Sequence, residues 1–491
     1  MTMPKLNIAV MSELANAVIC NKVFWYLASR YGTFFLQFLA SIWLAVKLGP
    51  YYFGLWSFIL LLVNIGSQCN WGVANAANIL LVQNKDDQAR RSNIEVTSLL
   101  MTLAACLLPF VVAAWDAIHP IPLFAKYQLG RMSVAVAFII AGYYINLLFI
   151  NIFRVRNKLL EIAFSQSLFP VLTLVVILCS SGRTLLVLLV SCYLLSTFAS
   201  MVAFLRARII SWHGRFSVEL LGTIASKGFY LFLYNACFYL IMLSTKMIVS
   251  ACYPVETFGH FAFAFNVSNA TVLLIDSLMF LLFPKMIDVL KGQDVKTIAE
   301  RLVSMRECYI FAMSVLIFTM IAVFGLLIRL LPQYAPSFSM LVSISLTMLV
   351  YSLCFGHAVY LLAQNMERRM AAFSFLALLL NVVGVWFAAR FLKVSVACSL
   401  AGTSIAYGVY VLLVNRCSLH RLGRSNNVHA ASIMMFRVIV PTLALMAIIR
   451  MNWIGLIWLP LVLVLLLDMG GFRKVMHFAI RLLKNPKIMN V

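Results

Sequence analysis

Two apolar runs joined by a glycine–proline turn decide which solvent this chain folds in. Residues 24–46 form a run of 23 residues with a single charge, Arg30. As a helix the run would be about 35 Å long, enough to cross a hydrocarbon core of about 30 Å. Lys47 closes the run, Gly49 and Pro50 turn the chain, and a second run returns to Gln83. The expected structure is a helical hairpin through a bilayer. A buried hairpin of a water-soluble protein would show this pattern once; here it recurs to the end of the chain.

Composition agrees. Hydrophobic residues make up 64% of the 491 and charged residues 11%, with a mean hydropathy of +0.99. Soluble domains are nearer about 45–50% apolar and about 25% charged. Membrane-spanning strands need only about 9–11 alternating residues, whereas these runs are roughly twice as long and apolar on every face. Helices satisfy their own backbone in hydrocarbon. The fold class is therefore an all-α polytopic membrane protein.

The net charge of +23 does not indicate nucleic acid, because Lys and Arg sit in short loops between spans. About fourteen spans are expected, near 24–46, 54–80, 96–115, 131–153, 162–181, 184–205, 228–250, 258–283, 308–330, 337–362, 371–391, 394–415, 432–449 and 453–468. The last pair is separated only by Arg450-Met451-Asn452, which leaves a twelve-span chain with a re-entrant tail as the alternative. With the N-terminus inside, 26 of the 38 Lys and Arg fall on cytoplasmic segments and 8 on outer ones. Both termini are thus expected in the cytoplasm. No loop can house a soluble catalytic domain, and there is no phosphate-binding loop for ATP. The 11 cysteines lie mostly in apolar runs, without a Cys/His cluster of metal-ligand spacing. No cofactor or metal is expected. No cleavable signal peptide is apparent, and Met11 is an alternative start to Met1.

A shift of 205 residues reveals an internal repeat. Lys22 falls on Lys227, Phe24 on Phe229, Phe53-Gly54 on Phe258-Gly259, Phe58 on Phe263 and Asn64 on Asn269. Six spans separate the copies, so both enter the membrane from the same side. Parallel repeats of this kind are related by an axis along the membrane normal, with a cavity between them. The expected organisation is a cytoplasmic segment over 1–21, two parallel six-helix bundles over 22–215 and 216–425 around a central cavity, an additional helix pair over 426–470 and a basic cytoplasmic tail over 471–491.

Polar groups inside spans carry the functional information, since each costs energy unless paired or wetted. Arg30 lies in span 1 and Lys246 near the outer end of span 7; Lys227 stands at the mouth of that helix and Arg437 in span 13. Asp276 is the one acid well inside a span. The balance is cationic and suits an anionic cargo, although cations near span ends also snorkel to headgroups. Asp276 can pair with Arg30 or carry a coupling proton or sodium. Asn64, Gln68 and Asn75 are spaced by four and seven, close to one face of span 2. With Asn235 and Asn269 they suggest a wet cavity lined by spans 1, 2, 7 and 8, able to contact sugar hydroxyls. No arrangement of side chains supports hydrolysis.

Lys47-Leu48-Gly49-Pro50-Tyr51-Tyr52-Phe53-Gly54 resembles the basic-LGP-FG opening of the bacterial polysaccharide transporters, including O-antigen flippases. These belong to the multidrug/oligosaccharidyl-lipid/polysaccharide exporter superfamily. NWGVANAANILL, the eighth-span stretch ending at Phe283-Pro284, LPQYAPS, LLAQNMERR and AGTSIAYGVYVLL resemble later family elements over residues 20–415. Lys47 departs from the arginine of many members. The resemblance implies a translocase of polyprenyl-pyrophosphate-linked glycan in the bacterial inner membrane, working by alternating access with proton or sodium coupling. It implies membrane lipids as surroundings, and a polymerase and a chain-length regulator as partners. Arg30, Lys246 and Lys227 would be its cavity cations. A cation-coupled drug exporter, a murein-precursor flippase and a membrane polymerase are the other readings. Reporter fusions test the topology: those after residues 90, 212, 292 and 420 should read cytoplasmic, and those after 120, 254 and 333 periplasmic. An outside reading at 212 or 292 would overturn the half-and-half arrangement.

Overall fold

The computed structural model describes residues 22–84, 86–130, 132–156, 158–207, 214–290, 295–364, 366–423, 428–451 and 453–484. All regular structure among them is helical: α1 (Lys22–Gln68), α2 (Val73–Gln83), α3 (Gln88–Ile118), α4 (Pro122–Lys126), α5 (Met132–Val155), α6 (Leu159–Cys179), α7 (Gly182–Arg206), α8 (Val218–Cys252) and α9 (Val255–Leu290). The chain continues with α10 (Val295–Leu330), α11 (Ser337–Ser352), α12 (His357–Ala363), α13 (Glu367–Arg390), α14 (Val396–Arg421), α15 (Val428–Arg450), α16 (Leu459–Leu467) and α17 (Met469–Lys484). Eight helices among the described residues are long and apolar enough to cross a membrane, or nine if the bent pair α11–α12 counts as one span. The protein is a multi-pass, all-α membrane protein.

The opening hairpin is drawn as one helix of 47 residues, interrupted at Gly49 with φ 67° and ψ 169°. At about 1.5 Å per residue it would measure about 70 Å, more than twice a bilayer core, so it comprises two limbs. Only glycine takes a positive φ here without steric cost, and Pro50 starts the second limb where no N–H is needed. The membrane face carrying this bend is called the hairpin face below.

Two expected spans are broken. The second, expected to run unbroken over 54–80, ends at Gln68 and restarts at Val73, through Trp71 at φ 54° and Gly72 at φ 73°. The tenth, expected over 337–362, bends by 47° between Ser352 and His357. Hydropathy does not register a left-handed residue inside an apolar run. The fourteenth, expected over 453–468, contains a helix of only nine residues, α16. That is about 14 Å and too short to cross alone.

A single core joins α1, α9, α10 and α11. Lipid-side faces are apolar as well: Leu107 and Val111 of α3, Phe198 of α7 and Val383 of α13 are each more than 60% exposed. Such exposure is costly in water and normal in hydrocarbon. α1 packs along α9, α8 along α13, and α13 along α14. α1 and α9 meet backbone to backbone. A Cβ on Gly259 would collide with Pro50 O and lie 3.2 Å from Gly54 N; one on Gly54 would collide with Val255 O and lie 3.3 Å from Gly259 N. Small residues let membrane helices meet backbone to backbone, where packing replaces the absent hydrophobic force. The residues before α8 lie on α3, with Arg215 N donating to Asn93 Oδ1 at 2.7 Å and Ser217 N to Thr97 Oγ1 at 3.4 Å. The buried carboxylate of Glu95 pairs with Arg156 beside it.

Replacing Gly259 with alanine should destabilise the protein by about 1–3 kcal/mol, since the backbones must separate. Gly222→Ala, in open space on α8, should be neutral or slightly stabilising. Thermal unfolding in detergent compares the two. Equal melting temperatures would show that the α1–α9 approach is not tight.

Candidate functional site

Just beyond the glycine contact, at the hairpin face, the same shift of 205 residues relates a set of reciprocal contacts. Tyr127 follows α4. Its ring stacks on Phe58 at 3.9 Å and meets Phe258 of α9 edge-on at 5.7 Å, and its hydroxyl donates to Ser250 O of α8 at 3.0 Å. Tyr334 follows α10. Its ring packs on Phe263 at 4.3 Å and meets Phe53 of α1 edge-on at 6.4 Å, and its hydroxyl donates to Ala45 O of α1 at 2.9 Å. Phe58 and Phe263, Phe53 and Phe258, and positions 45 and 250 are all 205 apart. Tyr127 thus rests on α1 and bonds a carbonyl of α8, while Tyr334 rests on α9 and bonds a carbonyl of α1. Burial pushes both phenols well above their usual pKa, which keeps them protonated donors.

One component has no counterpart. Lys126 Nζ donates to Ser250 O at 2.7 Å, Ala251 O at 3.1 Å and Tyr253 O at 2.6 Å, neutralising the carbonyl end of α8. Burial lowers its pKa. Sequence reasoning counted Lys126 only as a loop cation and missed both tyrosines. Their offset of 207 rather than 205 places them outside the repeat as matched.

Lys246 lies four residues before Ser250, about 6 Å along α8 from the carbonyl held by Tyr127 and Lys126. Its ammonium is 3.5 Å from the centre of the Phe265 ring of α9 and has no acidic partner among the described residues. A cation over an aromatic face is stabilised without being neutralised. The neighbouring Asn266 donates from Nδ2 to Ser41 Oγ of α1 at 3.3 Å, joining α9 to α1. Asn269, one turn after Phe265 on the same face of α9, is partly buried. Asn64, its counterpart by the 205-residue shift, and Gln68 are partly buried on one face of α1. Asn75 does not join them, because the break at residues 69–72 interrupts the helical spacing and leaves Asn75 exposed on α2. Asn70, at the break, is buried at 3% exposure.

The backbones of Arg30, Lys227, Asn235 and Asp276 lie in α1, α8, α8 and α9; their side chains fall outside the described residues, as does any Arg30–Asp276 pair. Arg437 of α15 does not simply reach for headgroups. It donates to Asp468 Oδ1 at 2.7 Å, which also accepts from Gly471 N. An apolar cleft of about 170 Å³ lies between α1, α3 and α5, lined by Leu62, Ile65, Leu108, Pro109, Val112 and Ile140.

No protein-family profile matches the chain, and no curated protein does. Solved structures do. One described as "Lipid II flippase MurJ, inward closed conformation" is similar at a TM-score of 0.67 and 12% identity, over 91% of this chain and 99% of that one. An inward-facing multidrug resistance MATE family transporter of the MOP superfamily is similar at 0.59 and 15% identity, over 80% and 94%. An outward-facing MATE transporter of that superfamily gives 0.51 at 14%, over 81% and 93%. The chain has the fold of MOP-superfamily transporters.

Tyr127→Phe and Tyr334→Phe each remove one buried hydrogen bond, worth about 1 kcal/mol. Each should lower protection from hydrogen exchange near its acceptor, around Ser250 and Ala45 respectively. Unchanged protection in both variants would show that the tyrosines do not join the halves.

Proposed function

We propose that this chain translocates polyprenyl-pyrophosphate-linked oligosaccharide repeat units from the inner to the outer leaflet of the bacterial inner membrane. The units would be precursors of O-antigen, capsule or exopolysaccharide. The observation that carries the reading is Lys246, a cation on α8 held over a ring of α9, without an acid beside it among the described residues. A membrane protein keeps an unpaired intramembrane cation at a cost, and a negatively charged cargo removes that cost when it binds. The polyprenyl tail would stay in lipid, against a surface such as the apolar cleft, while the pyrophosphate and sugars pass between the halves. This division spares the head a transit through hydrocarbon, which would cost well above the several kcal/mol of one polar group.

Alternating access supplies the path. The tyrosine–carbonyl contacts close the hairpin face, which is the outer face in the orientation given by the loop cations. Greater similarity to the inward-facing than to the outward-facing MATE structure supports this reading. Opening requires Tyr127, Tyr334 and Lys126 to release their carbonyls, and the release at Ser250 lies one turn from the cargo cation. Arg30 and Lys227 are proposed to extend the cationic surface, and Asn64, Gln68, Asn235 and Asn269 to meet sugar hydroxyls. Asp276 is the proposed proton or sodium site. No chemical transformation of the cargo is involved. The structural likeness to a lipid II flippase favours a lipid-linked cargo over a soluble drug, and cationic drugs would be repelled at Lys246.

Deleting the gene should leave undecaprenyl-linked repeat units on the inner leaflet and remove a surface polysaccharide without blocking murein synthesis. Complementation with Lys246→Gln or Arg30→Gln should restore protein level and membrane insertion. Either variant should export about 10- to 100-fold less, the loss of a charge-assisted bond of about 1.5–3 kcal/mol. Normal surface polysaccharide with heightened drug sensitivity would favour the exporter reading, and a murein block would favour the murein-precursor reading. Full export by a double Arg30→Gln, Lys246→Gln variant would overturn the cationic site.

A further inference from the structure

The segment after α16 was expected as a basic tail, yet it forms a 16-residue helix, α17. Its residues sort sharply around the axis. At 3.6 residues per turn, Arg473, Lys474, His477, Arg481 and Lys484 fall within an arc of about 100°. Met469, Phe472, Met476, Ile480 and Leu483 occupy a stripe beside it.

The start of the helix is fixed to the body of the protein. Asp468, paired with Arg437, caps the corner through Gly471 N; Gly471 packs against Phe311 of α10, and Lys474 pairs with Glu307 of α10. Packing on α10 nevertheless leaves the described part of that stripe largely uncovered, with Met469, Phe472 and Met476 exposed by 51%, 41% and 45%. Were α17 to project into the cytoplasm, this stripe would face water. Glu307 stands where the apolar run of α10 begins, so α17 leaves the protein at the level of the headgroups. There the apolar stripe meets acyl chains and the basic arc meets phosphates.

We propose that α17 is an interfacial helix that binds anionic phospholipid headgroups of the cytoplasmic leaflet. The side of the membrane rests on the loop cations; the proposal does not depend on what the protein transports. The anionic surface attracts each nearby cation by about fivefold in affinity, and the attraction falls within a Debye length as salt is raised.

The test uses full-length protein in nanodiscs of phosphatidylcholine alone or with about a third phosphatidylglycerol, in the range where surface charge dominates binding. Hydrogen exchange is followed over residues 469–484. Anionic lipid should slow exchange there by at least about tenfold and leave α10 unchanged. High salt should cancel the slowing in the wild-type protein, a control that needs no variant. A combined Arg473→Gln, Arg481→Gln, Lys484→Gln change should abolish the lipid dependence at an unaltered melting temperature. Equal exchange in the two lipid compositions would overturn the proposal. So would protection that follows protein concentration instead, which would assign the face to a second copy of the chain.

Discussion

The backbone contact between α1 and α9 is the joint on which the aromatic and hydroxyl contacts around it depend. It requires the absence of two side chains, at Gly54 and Gly259, because apolar attraction between helices is missing in lipid and close packing must replace it. With the backbones this close, Phe53, Phe58, Phe258 and Phe263 come within reach of Tyr127 and Tyr334. Aromatic contacts alone slide easily. The two hydroxyl bonds to Ser250 O and Ala45 O fix the tyrosines to α8 and α1.

Such a joint fits the alternating access proposed above better than a fused core would. Each tyrosine contributes about 1 kcal/mol, enough to favour one state without making the other inaccessible. The bonds end on the carbonyls of Ser250 and Ala45. Lys126 reinforces only the α8 side, so the two reciprocal halves of the joint are not energetically equal. That asymmetry falls on the helix bearing Lys246.

Much of this was legible in the sequence because membrane helices obey simple rules of length and charge. The all-α class, the turn at Gly49-Pro50 and the repeat-related Phe-Gly pairs were all readable, and those pairs lie at the joint. Lys246 stood out as a charge inside an apolar run. What escaped had physical reasons. A left-handed backbone at Trp71 leaves hydropathy unchanged, so the break that separates Asn75 from Asn64 and Gln68 was invisible. The pairing of Arg437 with Asp468 joins residues of two helices whose approach no local pattern encodes. Nothing in the sequence around Phe265 marks its ring as the one that meets the ammonium, and the apolar residues of α17 are interspersed with basic ones, which lowers the hydropathy of the tail.

The central claim is that the cation at Lys246 recognises the charged head of a lipid-linked glycan. Flipping of pyrophosphate-linked and monophosphate-linked forms of one glycan lipid, compared in proteoliposomes, tests it most directly. Wild-type protein should favour the pyrophosphate form, and Lys246→Gln should lose about tenfold or more of that preference at unchanged protein insertion. An equal preference in the wild type and the variant would contradict the account.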